Sequence, residues 1–489
     1  MTMRPSLSSP RRSPGVLPAG TLPDGVLATP VLPPEQLVAI GQEVLGQLES
    51  KVARIYIDHT AIGMARVALG KVRMQDNGDQ ILLSVESNFR TYPALVSVNQ
   101  TDAASLRHVA RYLNRLARNL PGDVEPPPMP ILPRHSPSST AWKTSTAAAF
   151  PEQRHAAVSA LVAPVLDAGF TASAFVGVYA HSTAYLNKHG VCSAGHDTDT
   201  EAVVTGWTAD GIGSGWAGQA ARDWTVLRPD AIATRCIDLT RRSAKPVAFE
   251  PGRHMAILDR PAVAQIVHMM GGCFDADATL RQLTPLYNPA TGKPRFGERI
   301  MDARLMITSD PNDPDGGFLP FSWDDPPYVP MTWVDHGVHV NLGFASYFAA
   351  AQGYALPNSA QVAIRLQAVP GTVTPTVDDM IASCKEGIYV NRFSHVQGAD
   401  SDPTIRMATG VTSGGCFLIR NGVIDKPIRN LRFLDSPWLF LNCLEAIGTS
   451  ERAPFGFAPW ASETWPVEPI IVPPLMVRDF NFNALADAA

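Results

Sequence analysis

A chain of 489 residues, 45% hydrophobic and 17% charged, has the composition of a globular protein and the length of two or three domains. Its net charge of −5 leaves no electrostatic footprint for nucleic acid or an anionic membrane. Six cysteines with no pair at C-x-x-C spacing point to reduced thiols in the cytoplasm, and no apolar run reaches the roughly eighteen residues of a spanning helix.

Residues 1–33 are rich in Pro, Ser and Gly and read as a disordered or extended arm, too broken for the apolar core of a signal peptide. A helix is expected from Pro34, with Leu37, Ile40, Val44 and Leu48 at helical spacing. Short β-rich runs follow from Lys51, and "QDNGDQ" (75–80) reads as a hairpin turn because Asn-Gly supplies positive φ. Leu106, Val109, Leu113 and Leu116 set an amphipathic helix with Arg107, Arg111 and Arg115 on another face. These elements make 34–120 an N-terminal α/β domain with a twisted antiparallel sheet and two flanking helices. The proline-dense stretch 121–145 reads as a linker.

A middle α/β domain over 146–250 is expected to start with a helix from Pro151. A hairpin in "TASAFVGVYAHSTAYLNKHG", a strand–turn–strand unit around "TADGIGSG" and a helix over 232–242 follow. Gly213, Gly215 and Gly218 match G-x-G-x-x-G, but without the strand-to-helix context and ribose-binding acid of a dinucleotide site; a flexible hairpin loop is the better reading. From 251 to 489 short strands and turns dominate, giving a β-rich C-terminal domain. The fold class is α+β.

Three histidine clusters bear on metal binding. Asp335, His336 and His339 converge only if the backbone turns at Gly337, and the plainer reading is a polar surface loop. "HDTD" (196–199) reads as a solvated turn. Cys416 follows two glycines but has no adjacent base, so it is not assigned as a nucleophile. The third cluster is "AVAQIVHMMGGCFDADA" (262–278), a buried helix running into a Gly-Gly break, with His268 and Cys273 five residues apart.

The C-terminal part resembles the TldD/PmbA (TldE) family. The likeness is strongest in "TGVTSGGCFLIRNGVIDKPIRNLRFLDSPWLFLNCLEAIG" (409–448). It extends through "ILDRPAVAQIVHMM" (257–270), "ARLMITSDPNDPDGGFLPFSWDD" (303–325) and "GIYVNRFSH" (387–395). The resemblance implies two paralogous subunits, one a zinc peptidase with H-E-x-x-x-H on a helix and a later cysteine, the other lacking that set. In such a site two histidines and a thiolate hold Zn²⁺, and the glutamate takes a proton from the bound water. Laid on this chain, the first histidine falls on His268, the glutamate on Met269 and the second histidine on Cys273; the C-terminal segment from Gly448 has no cysteine. "DDPP" (324–327) departs from the acidic-Glu-Gly turn of the family.

The resemblance therefore implies a PmbA/TldE-like, non-catalytic subunit with no cofactor of its own. Its partner would be a TldD-like metallopeptidase subunit carrying the zinc, the two enclosing a chamber that cleaves unfolded or modified peptides, in peptide or natural-product maturation. No nucleic acid or membrane is expected as a partner. Two other readings stand beside it. One is an enzyme with a rebuilt site from His268, Cys273, Asp275 and Asp277, a metal on His268 and Cys273 included, against the default of two side chains packed at a helix–sheet contact. The other is a protein-interaction regulator, in line with the gyrase-modulating role proposed for the family.

Overall fold

The computed structural model describes residues 31–68, 71–89, 93–120, 141–321, 328–344, 363–399, 402–455 and 469–486. The expected arm lies almost wholly outside these residues, as do most of the Pro-rich linker and the "DDPP" turn.

Six strands form one antiparallel sheet in the order β3-β2-β1-β4-β5-β6. They are β1 (Val52–Ala68), β2 (Lys71–Asn88), β3 (Ala94–Val98), β4 (Thr171–Asn187), β5 (Cys192–Trp207) and β6 (Ser214–Ala221). Helices α1 (Pro34–Gln47), α2 (Ala103–Asn119), α4 (Pro151–Asp167) and α5 (Pro229–Arg242) pack against it, with a single turn α3 (Thr144–Ala147) before α4. Three of the four long helices carry proline in the first turn, where its missing N–H costs nothing. In α2 the Asp102 carboxylate accepts the amides of Ala104 and Ser105 at 3.0 and 3.1 Å, a cap worth about 1 kcal/mol. Leu106, Val109, Leu113 and Ala117 bury its inner face.

Two turns differ from the expectation. Asn77 and Gly78 lie inside β2, opposite Gly63 and Ile62, and the β1–β2 pairing runs on to Ala68 and Lys71. β1 buries every second residue for most of its length, and a turn at Asn77 would have left half of it unpaired. "TASAFVGVYAHSTAYLN" is likewise one strand, β4, because it is wedged between β1 and β5 along its whole length. The β1–β4 pairing also merges 34–120 and 146–250 into a single sheet, where the sequence suggested two units.

The C-terminal half holds two sheets. In the first, β7 (Gly252–Leu258), β14 (Glu386–Gly398), β15 (Ala408–Arg420), β17 (Leu431–Asp435) and β21 (Leu475–Leu485) close into a ring, since β14 pairs with β7 on one side and β15 on the other. β16 (Val423–Pro427) extends β15, and β18 (Leu444–Ile447) pairs with β21. Phe393, Phe433 and Phe480 pack ring to ring in its core, with centroids 4.5 to 5.8 Å apart.

The second sheet runs in the order β12-β11-β10-β13-β20-β19. Its strands are β10 (Leu305–Ser309), β11 (Met331–Asp335), β12 (Val338–His339), β13 (Ile364–Ala368), β19 (Glu451–Arg452) and β20 (Ile471–Val472). β8 (Tyr287–Asn288) and β9 (Lys293–Pro294) form a small separate hairpin. Helix α6 (Arg260–Met270) bridges the two sheets and buries Ala262, Val263, Ile266, Val267 and Met270; a short α7 (Ala276–Leu280) follows. The result is the expected α+β class, with a strand-rich C-terminal half.

Candidate functional site

Helix α6 starts at a fixed point. Asp259 caps it, one carboxylate oxygen accepting the Arg260 amide at 2.7 Å. The other accepts the Tyr389 hydroxyl and the Arg235 guanidinium, both at 2.6 Å. Tyr389 comes from β14 and Arg235 from α5, so one buried carboxylate ties the helix to its own sheet and to the N-terminal half. Burial, then the Asp259 charge, hold the Tyr389 phenol well above its ordinary pKa.

Asn391, two residues along β14, donates to the carbonyls of Trp216 and Gly414, each at 2.9 Å. Gly414 sits at φ +65°, and a Cβ there would strike Trp216, so "TSGGC" is a bulge that lets two sheets approach. Cys416 next to it is buried and its thiol is pushed up to about 12 by that burial, which keeps it protonated and inert.

The three positions aligned with the zinc motif do not converge on a site. His268 is exposed on α6, its ring edge-on to Phe455 with centroids 5.0 Å apart; the expectation of a buried packing histidine is corrected here. Met269 is half-buried against the core. The helix breaks at Gly271 as expected, but the tight turn Gly271–Phe274 carries Cys273 into the core, fully buried, where its thiol is pushed up to about 11.

The acids of the rebuilt-site reading are spoken for. Asp275 caps α7 through the Ala278 amide at 2.6 Å, and Asp277 pairs with Arg281 at 2.9 Å. Among the described residues no three His, Cys, Asp or Glu side chains are placed to hold one metal ion. The donor set at this helix therefore does not fit zinc. Cys273→His, which restores the second ligand by type, is expected to cost about 1–3 kcal/mol of stability by overpacking and to gain no zinc. Urea unfolding and metal analysis of the variant check both.

The other histidine clusters also resolve. His336 (φ +49°) and Gly337 make the β11–β12 turn, with His336 exposed beside Asp335 at 2.7 Å. His339, by contrast, is fully buried under Phe296, and burial lowers its pKa to about 4, so the pair shares no ion. Gly213 and Gly215 leave room for Ser243 and Thr240 of the α5 end, which is packing and not phosphate binding.

"HDTD" is not a solvated turn. It lies in β5, where Asp197, Asp199 and Glu201 alternate onto the sheet face opposite the helices. His181 on β4 is clamped there between Asp197, 3.0 Å from Nδ1, and Asp58 at Nε2. Burial by itself would lower its pKa, but the two carboxylates outweigh it and raise it to about 10. Arg222 pairs with Asp199 at 3.1 Å, and Arg452 closes on the same carboxylate. The signal in the sequence was the period-two D-x-D-x-E run.

Arg452 belongs to β19, and the chain just past it links this network to α6. The Phe455 amide donates to Glu201 at 2.6 Å, and its carbonyl accepts from Gln265 of α6 at 3.3 Å. One short strap thus joins the motif helix to the charged face of the N-terminal sheet.

Comparisons with known proteins fit this architecture. Residues 251–484 match the family model for the PmbA/TldA metallopeptidase C-terminal domain. A metalloprotease of Archaeoglobus fulgidus is 23% identical over 257 residues, 49% of this chain and 57% of that protein. The match thus spans little more than half the length of that relative. Among solved structures, TldE from Thermococcus kodakarensis superposes with a TM-score of 0.72 at 16% identity, over 91% of this chain and 99% of that one. A protein from Bacteroides thetaiotaomicron, named for modulation of DNA gyrase, gives 0.74 at 15% identity over 92% and 98%. A Thermotoga maritima protein named likewise gives 0.71 at 12% identity over 91% and 98%. At such identities these structures share the fold.

Proposed function

The chain belongs to the TldD/PmbA metallopeptidase family, and from that premise we propose that it is a TldE-like, non-catalytic subunit of a heteromeric peptidase. The observation that carries this reading is the state of α6. Met269 stands where the family's general base would be and cannot accept a proton, and Cys273 is buried in the core. None of the twelve histidines is followed by glutamate, so the H-E-x-x-x-H motif has no second home in the chain. Loss of the base alone removes a factor of about 10²–10⁴ in rate.

In this reading a TldD-like partner brings the zinc, the base and the cleavage chemistry. This subunit supplies a wall of the chamber and helps align an extended, unfolded peptide. What supports that role is rigidity: α6, the strap at 451–455 and the N-terminal sheet are fastened to one another by buried hydrogen bonds and ion pairs. The substrates would be unfolded or modified peptides, and the compartment the cytoplasm.

The test is to purify the chain alone and together with a partner carrying H-E-x-x-x-H, and to measure zinc and cleavage of an unfolded peptide in each. Neither stoichiometric zinc nor cleavage is expected from the chain alone, with both present in the complex. Metal-dependent turnover by the isolated chain would overturn the proposal.

A further inference from the structure

The exposed face of α2 carries a charge pattern that neither packing nor the proposed peptidase role uses. Arg107, Arg111, Arg115 and Arg118 are all exposed, and the helix contains no acidic residue. At 100° per residue they fall within an arc of about 80°, along about 17 Å of helix, with backbone rises of about 6 Å between Arg107, Arg111 and Arg115. Arg118 pairs with Glu49 and lies over Phe89, 5.9 Å from the ring centroid. Arg107, Arg111 and Arg115 form no ion pair among the described residues. Tyr112 and His108, both exposed, border the stripe. Like charges at i, i+4 destabilise an isolated helix, so the stripe carries a cost that Asp102 and the buried inner face offset.

We propose that this face docks an acidic polypeptide segment whose carboxylates recur about every 6–7 Å, the spacing of alternate residues in an extended chain. The stripe is long enough for three or four such carboxylates. The chain carries −5 overall with these arginines included, so the charge of α2 is opposite in sign to that of the rest of the chain. A short acidic segment matches the length of the stripe, whereas duplex nucleic acid, with a charge every ~1.7 Å, is denser in charge than the arginines can match. The surface lies on the N-terminal sheet, apart from the α6 region, so it is tested without reference to zinc or cleavage.

The probe is a fluorescein-labelled peptide of about twelve residues with glutamate at alternate positions, added to the full chain and read by fluorescence polarisation. Saturable binding is expected at about 50 mM salt, weakening roughly tenfold or more by about 300 mM. The triple variant R107E/R111E/R115E should lose at least about tenfold in affinity and gain binding to the matching lysine peptide, with an unchanged circular dichroism spectrum. Three results overturn the proposal: no binding at low salt, unchanged affinity in the triple variant, or tighter binding of a single-stranded oligonucleotide or anionic vesicles than of the acidic peptide.

Discussion

Asp199→Ala is expected to lower the unfolding free energy by about 3–5 kcal/mol. Asp199 is buried on the sheet and takes Arg222 at 3.1 Å together with Arg452 from the C-terminal half. Arg222 is buried and the Arg452 side chain is 9% exposed, so removing the shared anion leaves two cations largely shielded from water; Arg222 retains Asp197, at 3.8 Å, and the Thr198 carbonyl, at 2.9 Å. The loss is mostly the cost of stranded charge and not the intrinsic worth of the pair. Two measurements separate these. Asp199→Asn, which keeps the shape but not the charge, should also destabilise, and adding Arg452→Met to Asp199→Ala should recover part of the loss. Denaturant unfolding of the four proteins gives the coupling energy. A loss below about 0.5 kcal/mol for Asp199→Ala would mean that the network holds no interface.

Protonated His181 is also expected to stabilise the fold, a contribution lost as the pH rises from about 6.5 to about 10. The imidazole has an ordinary pKa of 6.5, and between Asp58 and Asp197 it is raised to about 10. Below pH 6.5 it is protonated in both the folded and unfolded chain, and its contribution is fully present. Between the two values the folded protein binds a proton that the unfolded chain does not, so each step upward in pH favours unfolding. Above pH 10 the imidazolium is gone and the two carboxylates face each other across a neutral ring. His181→Gln should therefore be less stable than the parent at pH 6 and approach it at pH 10. The difference between the two proteins cancels the titration of every other group, and equal pH profiles would refute the assignment.

Both expectations concern residues whose placement the sequence hid. "HDTDTE" has the residue types of a solvated turn, and polarity by itself argues for a loop. Its period-two alternation runs on along β5, and pairing with β4 on one side buries Asp197 and Asp199 and half-buries Glu201 on one face. The groups they meet come from other elements: His181 on β4, which also takes Asp58 of β1, Arg222 just beyond β6, and Arg452 on β19. The separations run from 23 residues for Arg222 to 253 for Arg452, and only the strand order brings these groups together. The Asn77-Gly78 turn failed for a related reason, because a long neighbouring strand overrides a two-residue turn preference.

Helices were more legible. α1, α2 and α4 fall where apolar spacing and the prolines at 34 and 151 put them, and α5 starts at Pro229, just before the expected Ile232, because those signals are local and act within a few residues. The strand-rich character of the C-terminal half was equally plain from its short β runs.

What the sequence by itself determined is which side chains stand at the α6 positions: Met269 has no proton acceptor in any fold, and no histidine stands before a glutamate. What only the tertiary structure decided is where the remaining candidates go. The break after Met270 turns Cys273 into the core and leaves His268 outside against Phe455, so two residues five apart in sequence end in different environments. The reason is physical. Side-chain identity fixes which protons and ligands are available, but burial and convergence depend on contacts between segments far apart in the chain.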